Sequence, residues 1–213
     1  MTRLPAIALA LSLVPCVAHA EGKQIMPPYG YIGLCVRDNA ECDGGTDVLH
    51  TVYLTHEKRS ELERVNDWVN RNIPEYSDEA LYGRSEYWAV ASERGGDCED
   101  LALLKQKLLM ARGWPMDALL LAVVKEWNGA GHAVLVVITD QGPLVLDNMD
   151  WRIRPWADAG YTLVKRQTRY RPYVWTNAEP MEQPVINYQP VHAEPTFLKA
   201  ARRMAEITKE MNR

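Results

Sequence analysis

The feature that most constrains the fold of this chain is a change in apolar periodicity near residue 117. Before that point apolar residues recur at helical spacing, and within residues 55–73 they are Leu62, Val65, Val69 and Ile73. After it they form short runs rich in Val, Leu and Ile, separated by glycine-containing turns, which is typical of strands and hairpins. Helices first and sequential strands afterwards predict an α+β fold, with the helices packed on an antiparallel sheet.

A second helix is predicted at about residues 97–112, because Gly113 and Pro115 follow an amphipathic segment. Lys105 and Lys107 are expected to lie off its apolar face, which consists of Leu101, Leu104, Leu108 and Ala111. Strands are predicted at residues 118–125, 132–139, 144–147 and 161–166, with a further short strand at 170–175.

The chain divides into three predicted parts. Residues 1–20 have the basic start, the short apolar run and the A-x-A cleavage site of a signal peptide. Residues 21–175 are interpreted as one domain, of which residues 21–54 form an extended, turn-rich arm. Residues 176–213 are interpreted as a proline-rich tail that ends in a short amphipathic helix formed by Phe197, Ala201, Met204, Ile207 and Met211.

Export to the periplasm follows from the predicted signal peptide. No later segment of the sequence is long and apolar enough to span a bilayer, so we expect no transmembrane segment. The formal net charge of −4 gives no reason to expect nucleic acid or an anionic membrane surface as a partner.

The cysteines indicate both an oxidising compartment and an unusual thiol. Of the four, Cys16 would leave with the signal peptide. Cys35 and Cys42 can pair across a short loop, and the lost entropy of the unfolded chain would then stabilise the fold by about 2.5 kcal/mol. Cys98 is left as the odd thiol, either a reactive group or a buried, inert one.

Cys98 stands at a predicted helix start. Asp97 occupies the N-cap position, and Asp100 is placed to reach back as its capping partner. Unpaired backbone N–H groups and the helix dipole favour a thiolate at this position and are suited to hold an oxyanion. An ordinary, well-capped helix start would show the same pattern, so this pattern alone leaves both interpretations open.

Three carboxylates lie next to Cys98 in the sequence. Asp97, Glu99 and Asp100 disfavour a thiolate by like-charge interaction. Oxygen-rich clusters suit a hard cation such as Ca²⁺, which would reverse the local field, so these residues are candidate metal ligands. In the alternative interpretation Asp97 caps the helix, and Glu99 and Asp100 only complement its dipole.

A base and an orienting group for the thiol are found further along the chain. His132 opens the apolar strand 132–139, and Asp147 ends the apolar run 144–147. If these strands are neighbours, the two side chains meet at one end of the sheet and face the helix that carries Cys98. This order predicts a Cys98–His132–Asp147 triad, although each residue alone is more often structural.

Three segments of the chain resemble the bacterial transglutaminase-like cysteine proteinases. They are Gly95-Gly96-Asp97-Cys98-Glu99-Asp100, Gly131-His132-Ala133-Val134 and Val145-Leu146-Asp147-Asn148. The resemblance covers most of residues 30–175 and implies a papain-like or transglutaminase-like fold with the nucleophile at a helix N-terminus. It also implies that Cys98, His132 and Asp147 are the catalytic residues of a cysteine peptidase.

The LapG-type periplasmic proteases of this family imply further expectations. They cleave large surface adhesins and release cells from biofilms, they need calcium, and a cyclic-di-GMP-responsive inner-membrane receptor sequesters them. By resemblance, the substrate is a surface adhesin or another exported protein, such a receptor is a candidate partner, and Asp97 and Glu99 help to hold Ca²⁺. The Cys35/Cys42 arm and the proline-rich tail depart from this type, which bears on the substrate and the receptor but not on the triad.

The reaction expected from these residues is peptide hydrolysis through a thiol-acyl intermediate. The Cys98 backbone N–H is one donor to the oxyanion, and the Trp88 indole N–H is a candidate second donor, unless Trp88 is a plain core residue. Two alternatives stay open. One is transfer of the acyl group to an amine, as in transglutaminases, and the other is a non-catalytic binding module that uses calcium for structure.

Overall fold

The computed structural model describes residues 23–177, so the predicted signal peptide and the predicted C-terminal helix lie outside the described residues. The helices are α1 (Tyr29–Arg37), α2 (His56–Asn72), α3 (Asp78–Tyr82) and α4 (Cys98–Met110). The strands are β1 (Gln24–Ile25), β2 (Leu119–Lys125), β3 (Gly131–Thr139), β4 (Gly142–Leu146), β5 (Arg154–Pro155), β6 (Thr162–Gln167) and β7 (Trp175–Thr176). Among these helices, none is long and apolar enough to cross a membrane.

The strands form one sheet in the order β1-β7-β6-β2-β3-β4-β5, and every neighbouring pair is antiparallel. The nine-residue β3 pairs with β2 on one side and with β4 on the other. It is buried from its second residue to its last, which is why its sequence is a continuous apolar run instead of an alternating one. The predicted α+β class with an antiparallel sheet is confirmed.

Two long helices pack beside this sheet. α2 begins after Thr55, whose side chain accepts a hydrogen bond from the N–H of Lys58 (3.2 Å), and its apolar stripe is buried. α4 contacts α2 as well as β2 and β3. The expectation that Lys105 lies off the buried surface of this helix is wrong, because its side chain is 1% exposed. A helix covered by the sheet on one side and by α2 on another leaves little of its circumference to water.

The expectation of an extended arm at residues 21–54 is also wrong for one segment, since residues 29–37 form α1. Gly30 is not a turn residue but a point of close approach: a Cβ atom there would lie 2.1 Å from Cδ1 of Trp88. Glycine inside a helix costs about 1 kcal/mol relative to alanine. Burial of Tyr31 and Leu34 in the core offsets that cost.

A disulfide closes a short loop within the arm, and a hydrogen bond from α1 attaches the arm to the body of the protein. The predicted Cys35–Cys42 disulfide is present and joins α1 to the turn that follows it. Arg37, also on α1, donates a hydrogen bond from Nη2 to the carbonyl oxygen of Trp88 (2.5 Å). α1 is therefore linked to the segment that leads into α4.

Candidate active site

The start of α4 is built differently from an ordinary helix cap. Cys98 is the first residue of the helix and Asp97 is in the N-cap position, but the Asp97 side chain makes no capping hydrogen bond to a backbone N–H of the helix. Its Oδ2 instead accepts a hydrogen bond from the backbone N–H of Asp78 (3.4 Å). The predicted capping pair of Asp97 and Asp100 is therefore wrong, because the folded chain brings α3 against the start of α4.

The Cys98 thiol is half-buried and is the free cysteine of residues 23–177. Its Sγ donates to Oε2 of Glu99 (3.0 Å) and accepts from the backbone N–H of Ala133, the residue after His132. Burial, and then the charge of Glu99, raise the pKa of the thiol above its ordinary value. In this arrangement the thiol is protonated and lies beside the start of β3.

His132 and Asp147 meet at the same end of the sheet. Antiparallel pairing of β3 with β4 brings the start of one strand to the end of the other, and His132 Nε2 lies 2.8 Å from Asp147 Oδ1 with both side chains buried. Burial pushes the pKa of Asp147 upward, but the bonds from His132 and Tyr161 outweigh it, and the pKa lies below its ordinary value. An ionised Asp147 accepts the proton of Nε2, which leaves Nδ1 of His132 as the basic nitrogen.

Tyr161, which no sequence motif marks, also binds Asp147. Its hydroxyl donates to Oδ2 of Asp147 (2.5 Å), and its ring centroid lies 5.7 Å from that of His132. Tyr161 comes just before β6, which pairs with β2, so the phenol reaches the site from another strand of the sheet. A tyrosine next to a strand is common, and no local spacing relates it to a carboxylate elsewhere in the chain.

Three carboxylates from the starts of α3 and α4 meet beside Cys98. One oxygen from each of Asp78, Asp97 and Glu99 lies within 4.8 Å of the others. Burial raises the pKa of all three, to about 8 for Glu99, and neighbouring carboxylates add to the rise at Asp97 and Glu99. Within the described part of the chain, Oδ1 of Asp78 and Oδ1 of Asp97 are buried without a hydrogen-bond partner. Such a donor set fits a hard divalent cation.

Asp100, a candidate ligand by sequence, lies outside this cluster, and Asp78 is in it instead. Oδ1 of Asp100 accepts from the backbone N–H of Ala89 (2.6 Å), and a Cβ atom at Gly96 would lie 2.5 Å from the Asp100 Cβ. Burial raises the pKa of Asp100 to about 8. Asp78 stands 19 residues before Asp97, and only the contact between α3 and α4 relates the two.

Trp88, the candidate oxyanion donor, is deep in the core. Its side chain is 2% exposed, and its ring makes edge contacts with Tyr31 and Trp175 at centroid distances of 5.7 and 6.1 Å. A Cβ atom at Gly30 would lie 2.8 Å from its Nε1, and within residues 23–177 this nitrogen has no hydrogen-bond partner. The packing favours the core alternative for Trp88.

A thiol at a helix N-terminus, beside a histidine–carboxylate pair on an antiparallel sheet, is the arrangement of papain-like thiol enzymes. The chain belongs to the bacterial transglutaminase-like cysteine proteinases (BTLCP), whose sequence pattern matches residues 21–183. It is therefore a cysteine peptidase, and the predicted family and enzyme class are confirmed.

Several solved structures are similar to this chain. Calcium-bound LapG of Legionella pneumophila is 22% identical, with 69% of this chain and 80% of that chain covered and a TM-score of 0.49. A second structure of Legionella pneumophila LapG and an EGTA-treated one are each 28% identical, with 51% of this chain and 62% of the other covered and a TM-score of 0.44. No curated protein matches the sequence. The family assignment therefore rests on the match to residues 21–183.

Proposed function

We propose that the chain is an exported cysteine endopeptidase in which Cys98 is the nucleophile, His132 the base and Asp147 the orienting group. The observation that carries the proposal is the buried His132–Asp147 pair, with the Cys98 thiol against the neighbouring Ala133. Because the family consists of cysteine proteinases, we favour hydrolysis of a polypeptide over amide transfer and over a non-catalytic binding module. A surface adhesin as substrate and a cyclic-di-GMP-responsive receptor as partner remain predictions from the resemblance.

The reaction begins when the Cys98 thiol passes its proton to Nδ1 of His132. The thiolate attacks the peptide carbonyl carbon, an S–C bond forms, and the carbonyl oxygen takes the negative charge. At the start of α4 the backbone N–H of Cys98 has no intrahelical partner, so we assign it the contact with this oxyanion. The imidazolium then gives its proton to the leaving amine as the C–N bond breaks. Water hydrolyses the thioester with His132 as base, which restores the thiol.

Glu99 opposes the first step in the described arrangement. Because the thiol donates to Oε2 of Glu99, its proton is directed away from His132. The raised pKa of the thiol has burial as its main cause and the Glu99 charge as the next. Glu99 must therefore be engaged elsewhere when the thiolate forms, and it is also a member of the carboxylate cluster with Asp78 and Asp97.

We propose that this cluster is a calcium site held by Asp78, Asp97 and Glu99. The support is the convergence of the three carboxylates and the two buried oxygens among them that lack a partner within the described residues. Ca²⁺ takes six to eight oxygen ligands, so backbone carbonyls and waters must complete the set. When bound there, the cation supplies positive charge that offsets the carboxylates around Cys98.

Two observations support export to the periplasm. Residues 1–20 have the pattern of a signal peptide, and the Cys35–Cys42 disulfide is of a kind that persists in oxidising compartments. We propose that the catalytic domain comprises residues 21–175 together with Thr176, which pairs in β7 and is buried, and that the predicted tail follows it.

The proposed triad is tested by the rate at which iodoacetamide alkylates Cys98 near neutral pH, with the adduct located by mass spectrometry. We expect the rate to fall by roughly 100-fold in His132→Ala, because the thiolate loses its imidazolium partner. His56→Ala, at the exposed first residue of α2, is the control and should react like the wild type. Equal rates in wild type and His132→Ala would contradict the triad.

A further inference from the structure

We propose that Tyr161 is a positioning residue of the catalytic site, whose hydroxyl holds the Asp147 carboxylate in the orientation that His132 requires. The proposal rests on the proposed Cys98–His132–Asp147 triad and extends it by one residue. Tyr161 acts through Asp147 and need not touch the substrate.

The Asp147 carboxylate is held by donors on both oxygens. Oδ1 receives Nε2 of His132 at 2.8 Å and the backbone N–H of Met149 at 3.0 Å. Oδ2 receives the hydroxyl of Tyr161 at 2.5 Å, the one donor to this oxygen among residues 23–177. Rotation about the Cβ–Cγ bond would exchange these partners. The Tyr161 bond therefore stabilises the orientation in which Oδ1 faces the imidazole.

The protonation states of both groups suit this role. Burial, and then the bond to Asp147, raise the pKa of the Tyr161 phenol, so it keeps its proton and can donate. Burial pushes the pKa of Asp147 upward, but the bonds from His132 and Tyr161 keep it below its ordinary value. Other charged groups near this pair are Lys105 of α4, which faces Asp147, and Asp150 and Glu126, which face Tyr161. Arg152 and Arg154 line the small cavity beside both residues.

The backbone delivers the phenol from a separate part of the sheet. Gly160 has a φ of +73°, in the left-handed region that favours glycine, and it turns the chain just before Tyr161. β6 then pairs with β2, beginning with Thr162 opposite Lys125. The Tyr161 ring packs on the His132 ring at an interplanar angle of 48°. A residue that only filled space would need this ring contact but not the hydroxyl.

A small cavity beside the pair makes the role testable. It has a volume of about 30 Å³, adjoins Asp147 and Tyr161, and is lined further by Val145, Asp150, Arg152, Arg154 and Ala159. Such a volume admits about one water molecule. In Tyr161→Phe a water can satisfy Oδ2 without fixing the carboxylate. We therefore expect this variant to fold and to lose reactivity at Cys98.

The test is a double-variant cycle on the alkylation of Cys98 by iodoacetamide at about pH 7, measured on folded protein so that a change in stability does not affect the rate. The four proteins are the wild type, Tyr161→Phe, Asp147→Ala and the combination of both. We expect Tyr161→Phe to slow the reaction about tenfold, the effect of one lost hydrogen bond to a buried carboxylate. The same change should have no further effect once Asp147 is alanine.

Two results would overturn the proposal: equal rates in wild type and Tyr161→Phe, or an undiminished tenfold loss in the Asp147→Ala background. If Asp147→Ala itself reacts like the wild type, the triad fails together with this proposal, so the two failures are distinguishable. Tyr53→Phe is the matched control, because Tyr53 follows Val52, which pairs with Thr139 at the far end of β3, and it should react like the wild type.

A second variant covers the case in which Tyr161→Phe is less stable than expected. Tyr161→Gln keeps a hydrogen-bond donor but loses the ring. If the hydroxyl acts by holding Asp147, Tyr161→Gln should react faster than Tyr161→Phe. A rate no higher than that of Tyr161→Phe would count against the positioning role and for a packing role of the ring.

Discussion

Asp78 is the residue that connects α3 to the start of α4, next to the nucleophile. Its backbone N–H donates to Oδ2 of Asp97, and its own Oδ2 accepts from the backbone N–H of Tyr87. Arg37, on the helix that carries Cys35, is the cation that offsets part of its charge. Asp78 therefore bonds to the start of α4 through its backbone N–H and to the segment before α4 through its carboxylate. It is the member of the proposed calcium site that most depends on the tertiary fold.

The role of Asp78 in calcium binding predicts a loss of thermal stabilisation. At a calcium concentration about 100 times Kd, binding should stabilise the wild type by about 2.7 kcal/mol, which raises the melting temperature by roughly 5–10 °C for a protein of this size. Asp78→Asn removes one anionic ligand and should abolish most of this shift. Asp67→Asn, on the exposed side of α2 and paired with Arg71, is the control. The same calcium-induced shift in Asp78→Asn and wild type would contradict the site.

The residues of the site differ in how far the sequence alone reveals them. Cys98 is marked by the cysteine count and by its helix start, and His132 and Asp147 are marked by their places at the ends of apolar runs. Asp78 and Tyr161 carry no such mark, because each reaches the site from a segment distant in sequence. Their contributions depend on the packing of α3 on α4 and on the pairing of β6 with β2, which no local pattern specifies.

At the scale of single elements, α4 has a buried charge that its helical pattern does not explain. Lys105 lies in its second turn with its side chain buried, and burial lowers its pKa from 10.5 to about 7 in spite of the nearby carboxylates of Asp147 and Glu75. The helix begins with the Cys98 thiol, which needs a fixed position. The helix itself is packed between α2 and the sheet. The protonated, charged form of the Lys105 side chain therefore destabilises the fold.

The lowered pKa of Lys105 predicts how stability depends on pH. Between about pH 7 and 10.5 the unfolded chain still binds the lysine proton that the folded chain has lost, so stability rises with pH across this window, by up to about 1.4 kcal/mol per pH unit. Lys105→Met has no such group, and urea unfolding at several pH values should show wild-type stability rising relative to this variant from pH 7 to 9. Lys107→Met, on the same helix but paired with Glu41, is the control. Parallel stability curves for wild type and Lys105→Met would contradict the buried position of the ammonium.

The elements that the sequence predicts are those with long, regular apolar patterns. α2, α4 and the strands β2, β3, β4 and β6 are all found within a few residues of their predicted places. The sequence does not predict α1, because its glycines resemble turn residues and its packing partner Trp88 is distant in sequence. α3 has only five residues, between the Ser77 cap and Gly83 in the left-handed region, and so short a helix has no periodicity to detect.

At the scale of the whole molecule, the groups of the proposed site gather at one end of the sheet. The start of β3 supplies His132, the residue after β4 is Asp147, and Tyr161 precedes β6. α4 brings the thiol to the same end. A groove of about 470 Å³ lined by Val52, Tyr53 and Trp114 lies near the opposite end of β3 and is separate from this site. Pairing of the strands thus places His132, Asp147 and Tyr161 near one another, and the position of α4 adds the thiol.

The central claim, a peptidase that depends on Cys98, is tested most directly by comparing the N-termini of exported proteins in cells that carry the wild type and in cells that carry Cys98→Ala. We expect at least one exported protein to have a new N-terminus with the wild type, and the uncut protein to accumulate with Cys98→Ala. His132→Ala should give the same result as Cys98→Ala. Identical sets of N-termini in all three strains, or lysine-linked products in place of new N-termini, would contradict the account of the protein as a hydrolase.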